Sequence, residues 1–454
     1  MQPEDLAAPI WVDRPAALRR VVTELANEPL LAVDTESNSL YAYQEQVCLI
    51  QVSSPRVDYL IDPLAIHDLS SLGPLFSNPN TETIFHAAEY DLICLTRDFD
   101  YHFSRLFDTM HAARVLGRTA FGLGSLLESE FGISLDKHYQ RANWGQRPLK
   151  PAMLAYARLD SHYLIPLRAK LKAELEETGR WELAQEDFQR MRQVHLPHET
   201  TPAEACWRIS GSQDLTPAQA AILQSLCTYR DRQARYANLP AFKVLPNDAL
   251  LAIARVLPQK LEDLAEIPGL SPKLVVRHAS GLLQAVERGR HAPPISRPKT
   301  PRRNDALLNR LDWLRTWRKA IAAEMKVESD VVLPKDLMDA FAATLEELQD
   351  ADLILHMVDV SNPRYEDQMA AVERILGQLD LQDKPTILVF NKTDLVDPEF
   401  VERQLRRHGG VAISSLSRQT LEPLIMAMQD RTETLIQEEL SLAELRPQEV
   451  QEAA

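Results

Sequence analysis

The chain has 454 residues, 45% of them hydrophobic and 25% charged, and a formal net charge of −15. This composition supports two to four packed domains and excludes a disordered chain. No apolar run of about 18 residues occurs, so no spanning helix is expected, and the acidic, proline-broken start MQPEDLAAPIWVDRP does not read as a secretory signal. Cys48, Cys94, Cys206 and Cys227 lie far apart with no C-x-x-C pair. That argues against a zinc ribbon or a disulfide framework and for a reducing, cytoplasmic setting. The charge is uneven: 22 acidic and 10 basic residues follow Leu345, a net of −12, which leaves −3 for residues 1–345. Overall acidity therefore says little against nucleic-acid binding.

Apolar runs of strand length at 30–34, 47–52 and 57–61 predict a meander, and a short strand at 84–86 leads into a helix over 87–97. Residues 151–171 carry Met153, Leu154, Ala157, Tyr163, Leu164 and Leu167 at helical spacing. Residues 1–200 thus read as an α/β domain with an N-terminal antiparallel sheet. A polar, Pro-punctuated stretch at 195–215 reads as a linker, followed by helical sequence over 216–288. A second linker, 291–305, precedes more helical sequence from 306 to about 348. The two helical segments share an offset of 88 residues: Leu226 and Leu314, Arg230 and Arg318, Val244-Leu245-Pro246 and Val332-Leu333-Pro334. A constant offset marks a repeat. From Ala351 the pattern returns to α/β, with strand-like runs at 353–358 and 386–390.

Asp34 and Glu36 stand two residues apart at the end of an apolar strand, so they share one face. Two such acids repel each other unless a cation sits between them, and Mg²⁺ or Mn²⁺ prefers oxygen ligands. Asp91 falls early in a helix, where an acid also suits the helix dipole. Tyr156 and Asp160 lie at i and i+4 on one helical face. Each feature alone has a plain explanation as surface charge or amphipathicity.

Together the three segments resemble the DEDD superfamily of 3′→5′ exonucleases, in the subgroup with a tyrosine in the third motif. The match is closer still to the ribonuclease D family. Leu135-Asp136-Lys137, Gln140-Arg141, Asn143-Trp144 and Arg147-Pro148-Leu149 look like its segment before that motif, and Phe107-Asp108-Thr109 also fits. The resemblance implies a ribonuclease H-like α/β fold, a mixed sheet flanked by helices, and two divalent cations, Mg²⁺ or Mn²⁺. Asp34, Glu36, Asp91 and Asp160 would hold them, with Asp34 bridging. One cation would activate a water and the other stabilise the leaving 3′-oxygen. Tyr156 would orient the water, and Glu36 would also touch the terminal nucleotide. Lys137, Arg141, Arg147 and Lys150 are placed to meet phosphates.

Residues 216–290 resemble an HRDC domain through Leu226, Arg230, Pro246, Asp248, Leu250 and the Ile267-Pro268-Gly269 turn, and 305–345 resemble the opening of a second such module. Arg302, Arg303, Arg315, Arg318, Lys319 and Lys326 make this second stretch basic. The following stretch, 346–436, resembles the later half of the G domain of HflX-type ribosome-associated GTPases. Asn391-Lys392-Thr393-Asp394 matches the guanine-reading N-K-x-D signature, with Ser414-Ser415 as the neighbouring base loop. No G-x-x-x-x-G-K-[ST] loop occurs, so GTP hydrolysis is not expected and Asn391, Lys392 and Asp394 read as a vestigial guanine site. Half a G domain also predicts an exposed strand edge. Residues 437–454 form an acidic tail.

The expected function is 3′→5′ exoribonuclease activity on tRNA precursors and other small structured RNAs, by a cytoplasmic monomer without membrane contact, with the tail available to a ribosome. The alternatives are a non-catalytic RNA- or ribosome-binding protein and a DNA 3′→5′ exonuclease.

Overall fold

The computed structural model describes residues 6–198, 200–297, 305–335, 337, 338, 340, 348, 351–378 and 381–444. Arg302, Arg303, the 343–347 stretch and most of the acidic tail therefore lie outside the described residues. Two compact units divide the chain: residues 1–302 with 318–332, and residues 303–317 with 333–454.

The first unit is built on a six-stranded mixed sheet in the order β1-β4-β3-β2-β5-β6. Its strands are β1 (Ile10–Val12), β2 (Leu30–Ser37), β3 (Val47–Ser53), β4 (Asp58–Ile61), β5 (Glu82–Phe85) and β6 (Leu106–Asp108). The expected meander β2-β3-β4 is antiparallel, but β1 joins β4, β5 joins β2 and β6 joins β5 in parallel. The central strands are buried almost throughout, β3 over its whole length. Helices flank the sheet: α1 (Pro15–Leu25), α2 (Glu89–Phe99), α3 (Thr109–Val115), α4 (Leu123–Phe131), α5 (Pro151–His162), α6 (Leu164–Glu177) and α7 (Trp181–Met191). The single helix expected over 151–171 is two. The chain turns at Tyr163, and Pro166 sits in the first turn of α6, where a missing N–H costs nothing.

α5 lies across the sheet face that carries the end of β2, packing Met153 and Ala157 with Leu49, Leu60 and the buried Trp144. The connection from β2 to β3 faces the helical module of the same unit. The Tyr43 hydroxyl donates to Asp231 at 2.7 Å, and the Tyr43 amide donates to Asn238 at 3.1 Å. Lys243 stands 4.0 Å from the centre of the Tyr41 ring, whose hydroxyl donates to the Arg141 carbonyl at 2.7 Å.

The expected linker at 195–215 is largely structured. A capping box of Thr201 and Glu204 starts a short helix, Pro202–Ala205, and Cys206 and Ile209 are buried in the core of the module that follows. That module contains α8 (Pro217–Ala237), α9 (Asn247–Val256) and α10 (Pro272–His291). α8 and α10 approach closely because Gly289 has no side chain; a Cβ there would lie 2.4 Å from the Ile222 Cα. Arg230, buried on α8, donates to the Leu245 carbonyl at 3.1 Å and to Asn247 at 2.7 Å. It thereby ties the Val244-Leu245-Pro246 turn to the helix. α11 (Asp305–Met325) has the length of α8, and both its ends are offset from those of α8 by the 88 residues read in the sequence. The short helices Ala241–Val244 and Ser329–Val332 keep the same offset.

In the second unit, β7 (Ile354–Asp359), β8 (Thr386–Asn391) and β9 (Val411–Ala412) form a parallel sheet in that order. α12 (Tyr365–Gln378) and α13 (Pro398–His408) connect the strands, and α14 (Glu422–Glu444) follows. Among the described residues, β7 is paired on one side only.

Candidate active site

β2 delivers Asp34 and Glu36 to the face beneath α5, and α5 delivers Asp160. Carboxylate oxygens of these three lie within 4.8 Å of one another. Asp91, in the first turn of α2, is close enough to raise the Asp34 pKa, and one of its oxygens accepts a hydrogen bond from the Thr35 hydroxyl. The three sequence segments therefore meet, although Asp91 is engaged with Thr35 rather than grouped with the other three.

No lysine or arginine pairs with any of the four acids among the described residues. Burial raises the pKa of Asp34, and Asp91, Asp160 and Glu36 raise it further. Glu36 is pushed up to about 9 by burial, then by Asp160 and Asp91. Asp91 and Asp160 are each pushed up to about 7, mainly by burial. Desolvated carboxylates with this spacing lack positive charge, and hard divalent cations fit them. Gln51 lies opposite Asp34 in the β2–β3 ladder and is fully buried, with no hydrogen bond to its amide among the described residues.

A cavity of about 390 Å³ opens over the acids. Tyr156, His86, Lys137, Gln140 and the start of α4 with the preceding Gly122 line it. Tyr156 stands between Tyr139 and Trp144, with ring centres 5.9 and 6.1 Å away. Burial and then the nearby Asp160 and Glu36 raise its hydroxyl pKa, so the phenol keeps its proton.

The four expected phosphate contacts separate. Lys137 lines the cavity, and Arg141 and Lys150 are exposed. Arg147 is engaged within the fold. Its guanidinium donates to both oxygens of Asp62 at 2.6 and 2.7 Å and to the Cys48 carbonyl at 2.7 Å. Asp62 is 4% exposed at its side chain, so Arg147 neutralises a buried acid. Sequence reasoning missed His86 and Thr35. His86 shares a segment with Asp91 but has no spacing signal of its own, and Thr35 lies unremarked inside the D-x-E pair.

In the second unit, the Asn391 side-chain oxygen accepts from the Lys392 and Ser415 amides at 2.8 and 3.1 Å. The expected base loop thus adjoins the N-K-x-D turn, and Asp394 sits in the short helix Thr393–Leu395. Lys392 is paired with Asp359 at 2.5 Å.

Residues 9–176 match the 3′-5′ exonuclease family and residues 219–286 the HRDC domain. Ribonuclease D of Escherichia coli is 33% identical over 304 residues, 67% of this chain and 79% of that protein. The chain belongs to the ribonuclease D family. The crystal structure of Escherichia coli RNase D, described as an exoribonuclease involved in structured RNA processing, superposes with a TM-score of 0.60 at 27% identity. The match covers 84% of this chain and all of that one. The exosome complex exonuclease RRP6 of Saccharomyces cerevisiae is 32% identical over 272 residues, 56% of this chain. The chain spans 37% of the length of that relative. Family membership fixes the first unit as a ribonuclease D-type exonuclease domain with an HRDC domain after it. No described helix is long and apolar enough to cross a membrane.

Proposed function

We propose that the chain is a 3′→5′ exoribonuclease that releases 5′-mononucleotides from the free 3′ ends of tRNA precursors and other small structured RNAs, acting as a monomer. The observation that carries this reading is the meeting of Asp34, Glu36 and Asp160, with Asp91 alongside, at a cavity where no lysine or arginine among the described residues pairs with them. Two divalent cations held by these acids would supply the charge that activates water and stabilises the leaving oxygen. The chain's own residues do the rest. Tyr156, protonated and beside Asp160, orients the attacking water through its hydroxyl. Lys137 draws the scissile phosphate into the cavity, and Arg141 and Lys150 hold the strand behind it. Beside the main cavity, a space of about 240 Å³ between Leu135, Tyr139, Ala152 and Tyr156 offers apolar and aromatic walls for a base.

The helical module, residues 216–290, holds the RNA body. Tyr236 is 90% exposed and Phe242 53% exposed, close in sequence to Arg232, Arg235 and Lys243. This mixture of rings and positive charge suits stacked, negatively charged strands. The 88-residue offset of α11 supports a partial second module at 305–345. Residues 346–436 read as half a G domain, supported by the parallel β7-β8-β9 order and the contact of Asn391 with the base loop, and serve as a ribosome-facing appendage.

The test is degradation of an end-labelled single-stranded RNA with Mg²⁺ or Mn²⁺, comparing wild type, Asp34→Ala and wild type with EDTA. Mononucleotide release by wild type, abolished in both controls, is the expected result. Folded wild-type protein that is inert on RNA with either metal sinks the proposal.

A further inference from the structure

His86 lines the acid cavity, and its ring and backbone are held from beneath by the Asp108-Thr109 turn at the end of β6. Its Nδ1 lies 2.9 Å from the Thr109 hydroxyl. That hydroxyl donates its single proton to the Phe85 carbonyl at 3.1 Å, so it can only accept from the ring. The hydrogen on His86 is thereby fixed on Nδ1. Burial lowers the His86 pKa, which keeps the ring neutral and leaves Nε2 as a bare acceptor. The next residue, Ala87, adopts a left-handed backbone with φ of 62°, a conformation that costs a non-glycine residue energy. Asp108 holds this turn in place, accepting from the Ala88 amide at 2.6 Å and from the His111 amide at 2.8 Å. Thr109 and Asp108 are both fully buried. A strained turn fastened at several points, carrying a ring of fixed tautomer at a catalytic cavity, is built to present one atom in one orientation.

We infer that His86 Nε2 accepts a hydrogen bond from a hydroxyl of the 3′-terminal ribose, making His86 a specificity-determining residue for the RNA end. The inference rests on the exonuclease reading above. An acceptor at that point selects the chemistry of its partner. Phosphate oxygens are themselves acceptors, so phosphate is excluded. Base N–H donors vary from one nucleotide to the next, whereas every terminal ribonucleotide carries ribose hydroxyls. The terminal ribose is also the sugar attached to the scissile phosphate, which must sit over Asp34, Glu36 and Asp160 in this cavity. The 2′- and 3′-hydroxyls share the required chemistry, and the 2′-hydroxyl is the one that separates RNA from DNA.

The test measures kcat/KM on three labelled oligoribonucleotides that differ only in the last sugar: ribose, 2′-deoxyribose or 3′-deoxyribose. Wild type is compared with His86→Ala and with His86→Gln, whose amide oxygen restores an acceptor. Wild type is expected to lose about tenfold on the end that lacks the partner hydroxyl, the scale of one hydrogen bond. His86→Ala is expected to lose a similar factor on the ribose end and nothing more on that deoxy end. His86→Gln is expected to recover part of the discrimination. The deoxy sugar that wild type penalises identifies the hydroxyl. Discrimination that is unchanged in His86→Ala overturns the inference, as does a wild type that treats all three ends alike. If His86→Ala does not fold, His86→Leu, which also removes the acceptor, takes its place, and unchanged discrimination in folded His86→Leu overturns the inference. Wild type inert on all three ends overturns the exonuclease reading and this inference with it.

Discussion

Two motif-bearing regions of this chain treat their acids in opposite ways. Asp34, Glu36 and Asp160 are half-buried beside the buried Asp91, none of them paired with a lysine or arginine among the described residues, and all four pKa values rise. In the second unit, Asp359 is paired with Lys392 of the N-K-x-D turn, and its pKa is held down by that lysine and by Ser361 against a desolvation that pushes the other way. The first region requires charge from outside; the second supplies its own. Asp62, paired with Arg147 inside the exonuclease domain, shows that burial alone does not make a metal site. What distinguishes the active site is several carboxylates sharing one desolvated space with no lysine or arginine paired to them among the described residues.

The sharpest way to break the comparison is Asp34→Asn. Removing one of the carboxylates that would hold the cations should lower kcat by several kcal/mol of barrier, roughly a thousandfold, in the labelled-RNA assay. The same variant reports on stability. The raised pKa values mean that the folded chain retains protons that the unfolded chain has released above about pH 4. Their stabilising contribution is complete below about pH 4 and is lost as pH climbs towards the folded values, about 7 for Asp91 and Asp160 and about 9 for Glu36. The Tm of metal-free wild type should therefore fall between pH 5 and 9. Asp34→Asn should flatten that fall, and Mn²⁺ should raise the wild-type Tm most at the alkaline end. A metal-free Tm that rises over this range would contradict the contrast.

Arg147→Ala should cost about 3 kcal/mol in chemical denaturation, because it strands Asp62 in the interior. The KM for RNA should be unchanged if this pairing is its whole role; a raised KM with normal stability would place Arg147 in the RNA-binding set. The smallest effect belongs to Lys392→Ala. Both partners of that pair are substantially exposed, at 51% and 32%, so the loss should stay within about 1 kcal/mol and leave exonuclease rates untouched.

Local periodicity showed that Asp34 shares a face with Glu36, and Tyr156 with Asp160, but it was the resemblance to the DEDD superfamily that joined these segments with Asp91 into one candidate site. The strands β2 to β5 were legible from the same local periodicity. β1 was not, since three residues are too few to show alternation and its place beside β4 is decided by pairing. The role of Arg147 was hidden because its partner lies 85 residues away. The apparent linker at 195–215 did carry a readable sign, the capping box of Thr201 and Glu204, outweighed by its polar composition. His86 was visible as a letter but not as a function, because its orientation depends on Thr109, contributed by a different strand end.

The β2–β3 connection has a consequence for how such a chain can diverge. It begins two residues after Glu36, touches the basic segment through Tyr41 and Arg141, and is fastened to α8 through Tyr43. A lengthened loop here would shift the grip of the helical module and the margin of the reaction chamber in a single step. The exposed surface of that module is free of this coupling. New RNA targets should therefore be acquired by repainting the outer faces of the helices while the loop keeps its length, a hinge pin around which both parts must be re-fitted together or not at all.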